Sequence, residues 1–360
     1  MTAYPSRPVA ETGVVIQARS KLSERAFSAA PQRSVLYEAL SAGVALPYEC
    51  ATGTCGACKA RRLSGLILND WSEAPGAAYL KAEREEVLLC QTRALSDCTF
   101  EIPGRADLAV GIFGRPGFGR GVVRDIRRLT HDVAALRVRL DPALRFEAGQ
   151  FAVLSTRRVR GYRAYSMANR AGTVDEVEFV IKRKPGGALT EWLFSEEVQG
   201  ERLDWFGPLG KAIFTSDEQR TIVCIAGGSG IASILSILEV GAASRHFDQF
   251  DAAVFFGVRT RQDVFYLDRL SRLAESFPQT LRIAIAFSHD GVDPALARRY
   301  PVLLFETGFP HEIAARTLAG QFAGRVAYVA GPPILVDVSI RMLITQARLP
   351  ARDIRYDKFS

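Results

Sequence analysis

Residues 48–60 read YECATGTCGACKA and set Cys50, Cys55 and Cys58 within nine positions, with Cys90 following after 31 intervening residues. A Cys-x4-Cys-x2-Cys run with one remote cysteine is the ligand spacing of a [2Fe–2S] cluster, where four thiolates converge on two irons. Such a cluster needs main-chain N–H donors close to its sulfurs, and the small residues Gly53, Gly56 and Ala57 let the backbone approach. Structural zinc would show paired Cys-x2-Cys units or added histidines. Only one Cys-x2-Cys is present, and none of the four histidines (His131, His246, His289, His311) lies in this region, which also removes a two-histidine Rieske centre. The expected metal ligands are Cys50, Cys55, Cys58 and Cys90, while Cys98 and Cys224 read as core thiols.

Two further constellations suit anionic cofactors. In RAYS (residues 163–166), Arg163 can neutralise a phosphate, Tyr165 offers a flat face to a ring and Ser166 gives a short polar contact. Downstream, KPGGALTEW (184–192) sets Gly186 and Gly187 before a helical pattern, where free backbone N–H groups would meet a pyrophosphate. Taken alone, the glycine pair is also an ordinary turn. CIAGGSGIAS (224–233) reads as a buried strand, a turn through Gly227, Gly228, Ser229 and Gly230, and a helix start; its amides could hold a nucleotide diphosphate, although it does not spell G-x-G-x-x-G.

The elements that must position these residues follow from periodicity. AALRVRL and VEFVIKR alternate apolar and polar residues as half-buried antiparallel strands do, which predicts an all-β middle region. TIVCIAGG and AAVFFGV read as buried strands, with ASILSILEV and FYLDRLSRLAE as helices between them, which predicts a parallel sheet. A chain of 360 residues is too long for one ordinary core. The expected order is an N-terminal cluster domain (1–105), a Gly/Pro-rich linker (106–117), a β-barrel domain (118–213) and an α/β nucleotide domain (214–360).

Residues 221–238 carry no charge, but AGGSG within them suits a strand–turn–helix better than a membrane span. No basic-then-apolar leader opens the chain, so a cytoplasmic location with no membrane partner is the expectation. Six cysteines in that compartment argue for metal or redox use over disulfides. The net charge of +7 is concentrated near STRRVRGYRAYS (155–166), with four arginines and no acid; it lacks a nucleic-acid-binding context and suits an anionic cofactor.

On its four cysteines and the entering LPYEC, region 1–105 resembles the plant-type ferredoxins, small β-grasp [2Fe–2S] domains. Lys59, Arg61 and Arg62 depart from the acidic surface common in free ferredoxins. The RAYS and Gly–Gly segments, the GGSGIA turn and YVAGPP (328–333) resemble the ferredoxin–NADP reductase superfamily. That resemblance implies a multidomain α+β fold: β-grasp, antiparallel flavin barrel, and parallel-sheet nucleotide domain. It further implies FAD held by Arg163, Ala164, Tyr165, Ser166, Val180, Lys182, Gly186, Gly187 and Thr190, with Arg163 on the diphosphate, Tyr165 against the isoalloxazine and Ser166 near N5. The nicotinamide nucleotide would lie on Gly227, Gly228, Ser229, Gly230, Gly331 and Pro332. In the tail RYDKFS, Phe359 would cover the flavin and Asp357 would stand near the reacting atoms. Ser166, Asp357 and Phe359 are thus the implied catalytic positions. Two departures appear: Ala148 replaces the usual proline in FEAGQF, and Ala330 replaces the cysteine common before Gly-Pro. Arg259 and Arg261 could meet a 2′-phosphate, but one arginine there is also common in NADH-using relatives, so NADH is expected with NADPH possible.

Taken whole, the chain resembles the reductase components of bacterial multicomponent oxygenases. Electrons would pass from NADH through FAD to the [2Fe–2S] cluster and on to an oxygenase or hydroxylase component, or to its Rieske ferredoxin. NDWSEAPGA and the closing DKF favour the monooxygenase group; a Rieske dioxygenase reductase or a general NADH:ferredoxin-type carrier is the alternative. A sodium-pumping quinone reductase subunit would add a membrane helix, and a nucleic-acid binder or non-enzymatic sensor would not need the glycine-rich nucleotide turn.

Overall fold

A computed structural model describes residues 13–109, 114–195 and 197–358, and the chain forms two compact units, 1–117 and 118–360. In the first unit, β1 (Val14–Arg19) and β2 (Glu24–Ala29) form an antiparallel hairpin. Helix α1 (Val35–Ser41) follows, then β3 (Lys59–Ser64), β4 (Ile67–Asn69), β5 (Glu86–Leu88), β6 (Thr92–Ala94) and β7 (Cys98–Glu101). The main sheet runs β2-β1-β7-β3-β5 with β7 parallel to β1, and β4 pairs with β6 apart from it. Alternation supplies the core face: Ile16 and Ala18 of β1 and Phe27 and Ala29 of β2 are buried.

Helix α1 covers that face because Val35, Leu36, Ala39 and Leu40 line one side, and Ser34 caps it by accepting from the Tyr37 amide at 3.3 Å. From α1 the Tyr37 hydroxyl donates to the Ala51 carbonyl at 2.8 Å, gripping the first turn of the cysteine loop. Leu108, inside the stretch expected to be a linker, is fully buried, and its amide donates to the Ser23 Oγ at 2.8 Å, so packing continues past residue 105.

The second unit begins with a six-stranded antiparallel sheet: β8 (Gly117–Arg128), β9 (Val133–Phe146), β10 (Phe151–Thr156), β11 (Val159–Ser166), β12 (Gly172–Lys182) and β13 (Arg202–Leu209), ordered β11-β10-β13-β8-β9-β12. An antiparallel bridge between Met167 and Phe179 joins the two outer strands and closes the barrel, removing its exposed edges. Helix α2 (Ala188–Ser195) adds Leu189, Trp192, Leu193 and Phe194 to the barrel core.

The sheet that follows is wholly parallel, built from β14 (Ile222–Gly227), β15 (Ala252–Val258), β16 (Leu281–Phe287), β17 (Leu304–Thr307), β18 (Val326–Gly331) and β19 (Ile354–Lys358), in the order β17-β16-β15-β14-β18-β19. Helices α3 (Ile231–Ala243) and α4 (Leu267–Ser276) cover one face; α5 (Pro294–Arg299) lies between β16 and β17 in sequence; α6 (Pro310–Thr317) and α7 (Pro333–Thr345) cover the other face. Covering on both sides explains the uncharged stretch at 221–238: every residue of β14 is buried, as is most of α3. No helix among the described residues is long and apolar enough to cross a membrane. The three expected fold types are therefore present, in the expected order.

Tyr37→Phe is expected to lower stability by about 1–2 kcal/mol, because the Ala51 carbonyl loses a buried donor. A chemical melt followed by circular dichroism with an unchanged midpoint would remove this role for Tyr37.

Candidate electron-transfer sites

The four cysteines of the spacing pattern converge, all with free thiols, and Cys50, Cys58 and Cys90 are almost fully buried. They fall into two pairs. The Cys58 and Cys90 sulfurs are 3.3 Å apart, and the Cys55 thiol hydrogen-bonds to Cys50. Two sulfurs for each of two irons is the arrangement a [2Fe–2S] cluster requires. Main-chain amides support the first pair: Thr52 and Thr54 donate to the Cys50 sulfur, each at 3.4 Å, and Ala57 donates to the Cys55 sulfur at 3.4 Å. The Cys55 hydrogen bond, with the Thr52 and Thr54 amides, pulls the Cys50 thiol well below its ordinary value. Cys55 is pushed up in turn by its bond to Cys50 and by burial, and Cys90 by its bond to Cys58 and by burial. Four cysteines in two pairs, with main-chain donors on the first pair, fit the cluster.

Backbone geometry explains the small residues. Gly53 and Gly56 sit at φ +89° and +78°, where a side chain would be strained, and Ala51 is held at φ +57° where Tyr37 grips its carbonyl. Gly76 closes the loop from outside: its amide donates to the Gly53 carbonyl at 2.9 Å, and a Cβ there would stand 2.8 Å from that oxygen. Tyr37 and Gly76 carry no signal in the cysteine spacing, because both act across the fold. Cys98 and Cys224 are buried core thiols, and burial pushes both up.

In the second unit, Arg163, Ala164, Tyr165 and Ser166 end β11, paired with Leu154, Val153, Ala152 and Phe151 of β10. Arg163 and Tyr165 share one strand face. Tyr165 is half-buried against the barrel core; burial raises its phenol, and the Arg163 charge pulls the other way. The glycine turn differs from expectation. The Gly187 amide is taken by the Lys184 carbonyl at 2.8 Å, and the Gly186 amide meets the Glu191 carboxylate, itself paired with Arg183 at 2.6 Å. The reading of both as free N–H donors is therefore corrected: here a side-chain carboxylate of α2 occupies an anion's place. Thr190 is likewise engaged, its hydroxyl accepting from the Lys184 amide at 3.0 Å and bonding to the Lys184 and Gly187 carbonyls, so it shapes the turn. Val180 is buried in the core shared with the nucleotide sheet, and Lys182 pairs with Asp132 at 2.8 Å.

The nucleotide turn lies where the sheet order reverses. Strands β14 and β18 are neighbours, β15 continues outward from β14 and β19 from β18, and Gly227 and Gly331 end the central two. Crevices at such switch points receive nucleotides. The two turns approach closely enough to demand glycine: a Cβ on Gly230 would lie 2.5 Å from the Ala330 carbonyl oxygen, and one on Gly331 would lie 3.1 Å from Gly227 N and O. A Cβ on Gly228 would meet nothing, and Ser229 and Pro332 are accessible at the same edge. No side chain caps α3, and its first amide, that of Ile231, donates to the Gly228 and Ser229 carbonyls of the short turn before it.

Asp357 is 7% exposed and pairs in register with Ala330 of β18. A Cβ on Gly210 would lie 3.4 Å from the Asp357 carboxylate and 3.0 Å from the Phe151 ring; Phe151 is the ladder partner of Ser166. Through Phe151 and Gly210, the end of the flavin strand and the end of β19 thus share one neighbourhood. Phe359 lies outside the described residues.

A family described as a 2Fe-2S iron-sulfur cluster binding domain matches residues 19–95, an oxidoreductase FAD-binding domain matches 120–214, and an oxidoreductase NAD-binding domain matches 224–339. The chain is 35% identical to the ferredoxin–NAD(+) reductase component of the alkene monooxygenase system of Xanthobacter autotrophicus, over 93% of this chain and 98% of that one. It is 33% identical to the reductase component DmpP of phenol 2-monooxygenase from Pseudomonas sp. CF600, over 91% of this chain and 89% of that one. Among solved structures, the ferredoxin reductase in carbazole 1,9a-dioxygenase superposes with a TM-score of 0.80 at 30% identity, covering 98% of this chain and all of that one. Four paired thiols, a flavin-type barrel and a glycine-lined switch point, in one chain that aligns with these relatives along nearly its whole length, make it a member of the ferredoxin–NAD(P)+ reductase family that serves multicomponent oxygenases.

Proposed function

We propose that this chain takes electrons in pairs from NADH and hands them singly to the hydroxylase of a monooxygenase system. Bound FAD supplies the exchange between paired and single electrons, and a [2Fe–2S] cluster supplies one-electron delivery at low potential. The observation that carries the reading is the pairing of the four sulfurs, two by two, in a chain that also has the nucleotide switch point. The alkene and phenol monooxygenase relatives support a monooxygenase partner; the likeness to the carbazole dioxygenase reductase supports a Rieske system as the second reading.

The chain's own residues bind and orient. Arg163 would offset the charge of the flavin diphosphate, Tyr165 would supply a flat wall, and Ser166 and Asp357 would border the reacting ends of the two nucleotides. Gly227, Gly228, Ser229 and Gly230 present main-chain amides to the dinucleotide, and Gly331 and Pro332 border the nicotinamide. Proximity and orientation provide the rate, since Ala330 offers no thiol.

Carboxylates favour NADH over NADPH. Arg259 lies 3.5 Å from Asp263 and 3.6 Å from Asp132, and Arg261 lies 3.5 Å from Asp290 and 3.6 Å from Asp293. Burial works against the Asp263 charge, but its Thr260 hydrogen bonds and the charges of Arg259 and Lys182 hold its pKa below the ordinary value. Both arginines that follow β15 therefore already face negative charge, which a 2′-phosphate would have to displace.

Three outcomes test this. Cys90→Ala should abolish reduction of one-electron protein acceptors while NADH still bleaches the flavin in stopped flow; equal loss of both in a folded variant would break the proposed electron order. Purified Arg163→Ala should lose most of its flavin on dialysis, and a fully yellow variant would remove that residue from the diphosphate. Asp290→Asn should raise kcat/KM for NADPH relative to NADH by about tenfold, about 1.4 kcal/mol, the scale of one solvent-screened charge a few ångströms from a phosphate. An unchanged ratio would show that Arg261 does not read the 2′ position.

A further inference from the structure

Gln91, directly after the fourth cysteine, reaches back onto the loop that carries the first three. A Cβ built on Gly53 would stand 3.1 Å from each of its Cγ, Cδ and Nε2, so its carboxamide lies against that glycine. Its Nε2 is a hydrogen-bond donor to the Cys90 sulfur at 3.7 Å. A thiolate only accepts, so the NH2 end of the amide belongs on that side. The backbone beneath is fixed on both sides of the side chain: the Gln91 carbonyl accepts from the Asp70 amide at 2.8 Å, and the buried Thr92 hydroxyl donates to the Leu88 carbonyl at 2.9 Å. Gly53 has no side chain to push the amide away, and at φ +89° it would tolerate none. Where Cys50 and Cys55 receive main-chain amides, Cys90 receives a side-chain amide, which a single substitution can remove without disturbing the backbone.

We infer that Gln91 is a positioning residue that sets the reduction potential of the cluster through its hydrogen bond to the Cys90 sulfur. Adding an electron to a cluster held by four thiolates increases negative charge on the sulfurs. A hydrogen bond strengthens as its acceptor becomes more negative, so this donor favours the reduced state and moves the potential upward. The inference rests on the [2Fe–2S] reading of the four cysteines. It assigns Gln91 to the last step, where the cluster must remain reducible by the flavin and still be able to pass its electron outward.

The test is a redox titration of the flavin- and cluster-loaded protein, followed by the electron paramagnetic resonance of the reduced cluster. Gln91→Met keeps the length and bulk against Gly53 and removes the N–H. It should shift the one-electron equilibrium about tenfold toward the oxidised cluster, a potential about 59 mV more negative. The wild-type protein provides a second readout that needs no variant to fold. With the glutamine side chain labelled with nitrogen-15, pulsed spectroscopy of the reduced cluster should show coupling to that nitrogen and to an exchangeable proton. A cluster-loaded Gln91→Met variant at the wild-type potential would overturn the inference, as would a wild-type cluster without the nitrogen coupling. A wild-type protein with no [2Fe–2S] signal would instead overturn the reading beneath it.

Discussion

Four cluster-ligand sulfurs, which must all carry negative charge when they hold metal, lie as two contacting pairs with three of the four cysteines buried, and the first unit is arranged around that constraint. Buried charge without partners is costly by several kcal/mol per group, so each thiolate needs donors or a metal. The chain supplies donors from its own backbone at Thr52, Thr54 and Ala57. Aiming these amides at the sulfurs bends the loop through left-handed conformations at Ala51, Gly53 and Gly56. Those conformations are held from outside, by Tyr37 on the Ala51 carbonyl and by Gly76 on the Gly53 carbonyl. Helix α1 is therefore part of the cluster cradle as well as a lid on the sheet.

The second unit meets a related electrostatic demand with different means. A dinucleotide brings its own negative charge, and the parallel sheet offers amides where β14 and β18 end side by side. Only glycine lets those ends approach: Gly230 is crowded by the Ala330 backbone, Gly331 by the Gly227 backbone and Gly227 by the Leu335 side chain, whereas Gly228 opens into space. Crowded glycines bring the strands together, and the open one leaves room for a ligand. At the barrel's glycine turn the same chemistry is partly internal, since Glu191 already sits on the Gly186 amide with Arg183 behind it.

What the sequence made legible was local and repetitive. Cysteine spacing, strand alternation in β9 and β12, and the strand–turn–helix at 224–233 each report geometry within a few residues, and the fold class followed from them. Interactions that couple distant positions were not legible. Tyr37 reaches Ala51 across the first unit, Lys182 pairs with Asp132 across a strand pair, and the Thr190 hydroxyl turns back to Lys184. A motif shows which groups a site needs; which of those groups the protein has already engaged depends on tertiary packing. The uncharged run at 221–238 illustrates the converse, since a span apolar enough to suggest lipid is a strand and helix sealed between two layers of protein.

The alanine at position 330 shows how a missing group redistributes a task. Its side chain adds no thiol beside the glycine–proline turn, and its ladder partner across the strand pair is Asp357. Ala330 is itself buried, and β19 places a buried carboxylate next to it, beside Gly210, which also borders the Phe151 ring. The carboxylate that lines this edge cannot act as a thiol nucleophile or be oxidised to a disulfide. Flavin-bearing barrel and nucleotide sheet meet at Phe151 and Gly210, so the closing strand fixes the junction as much as it lines it.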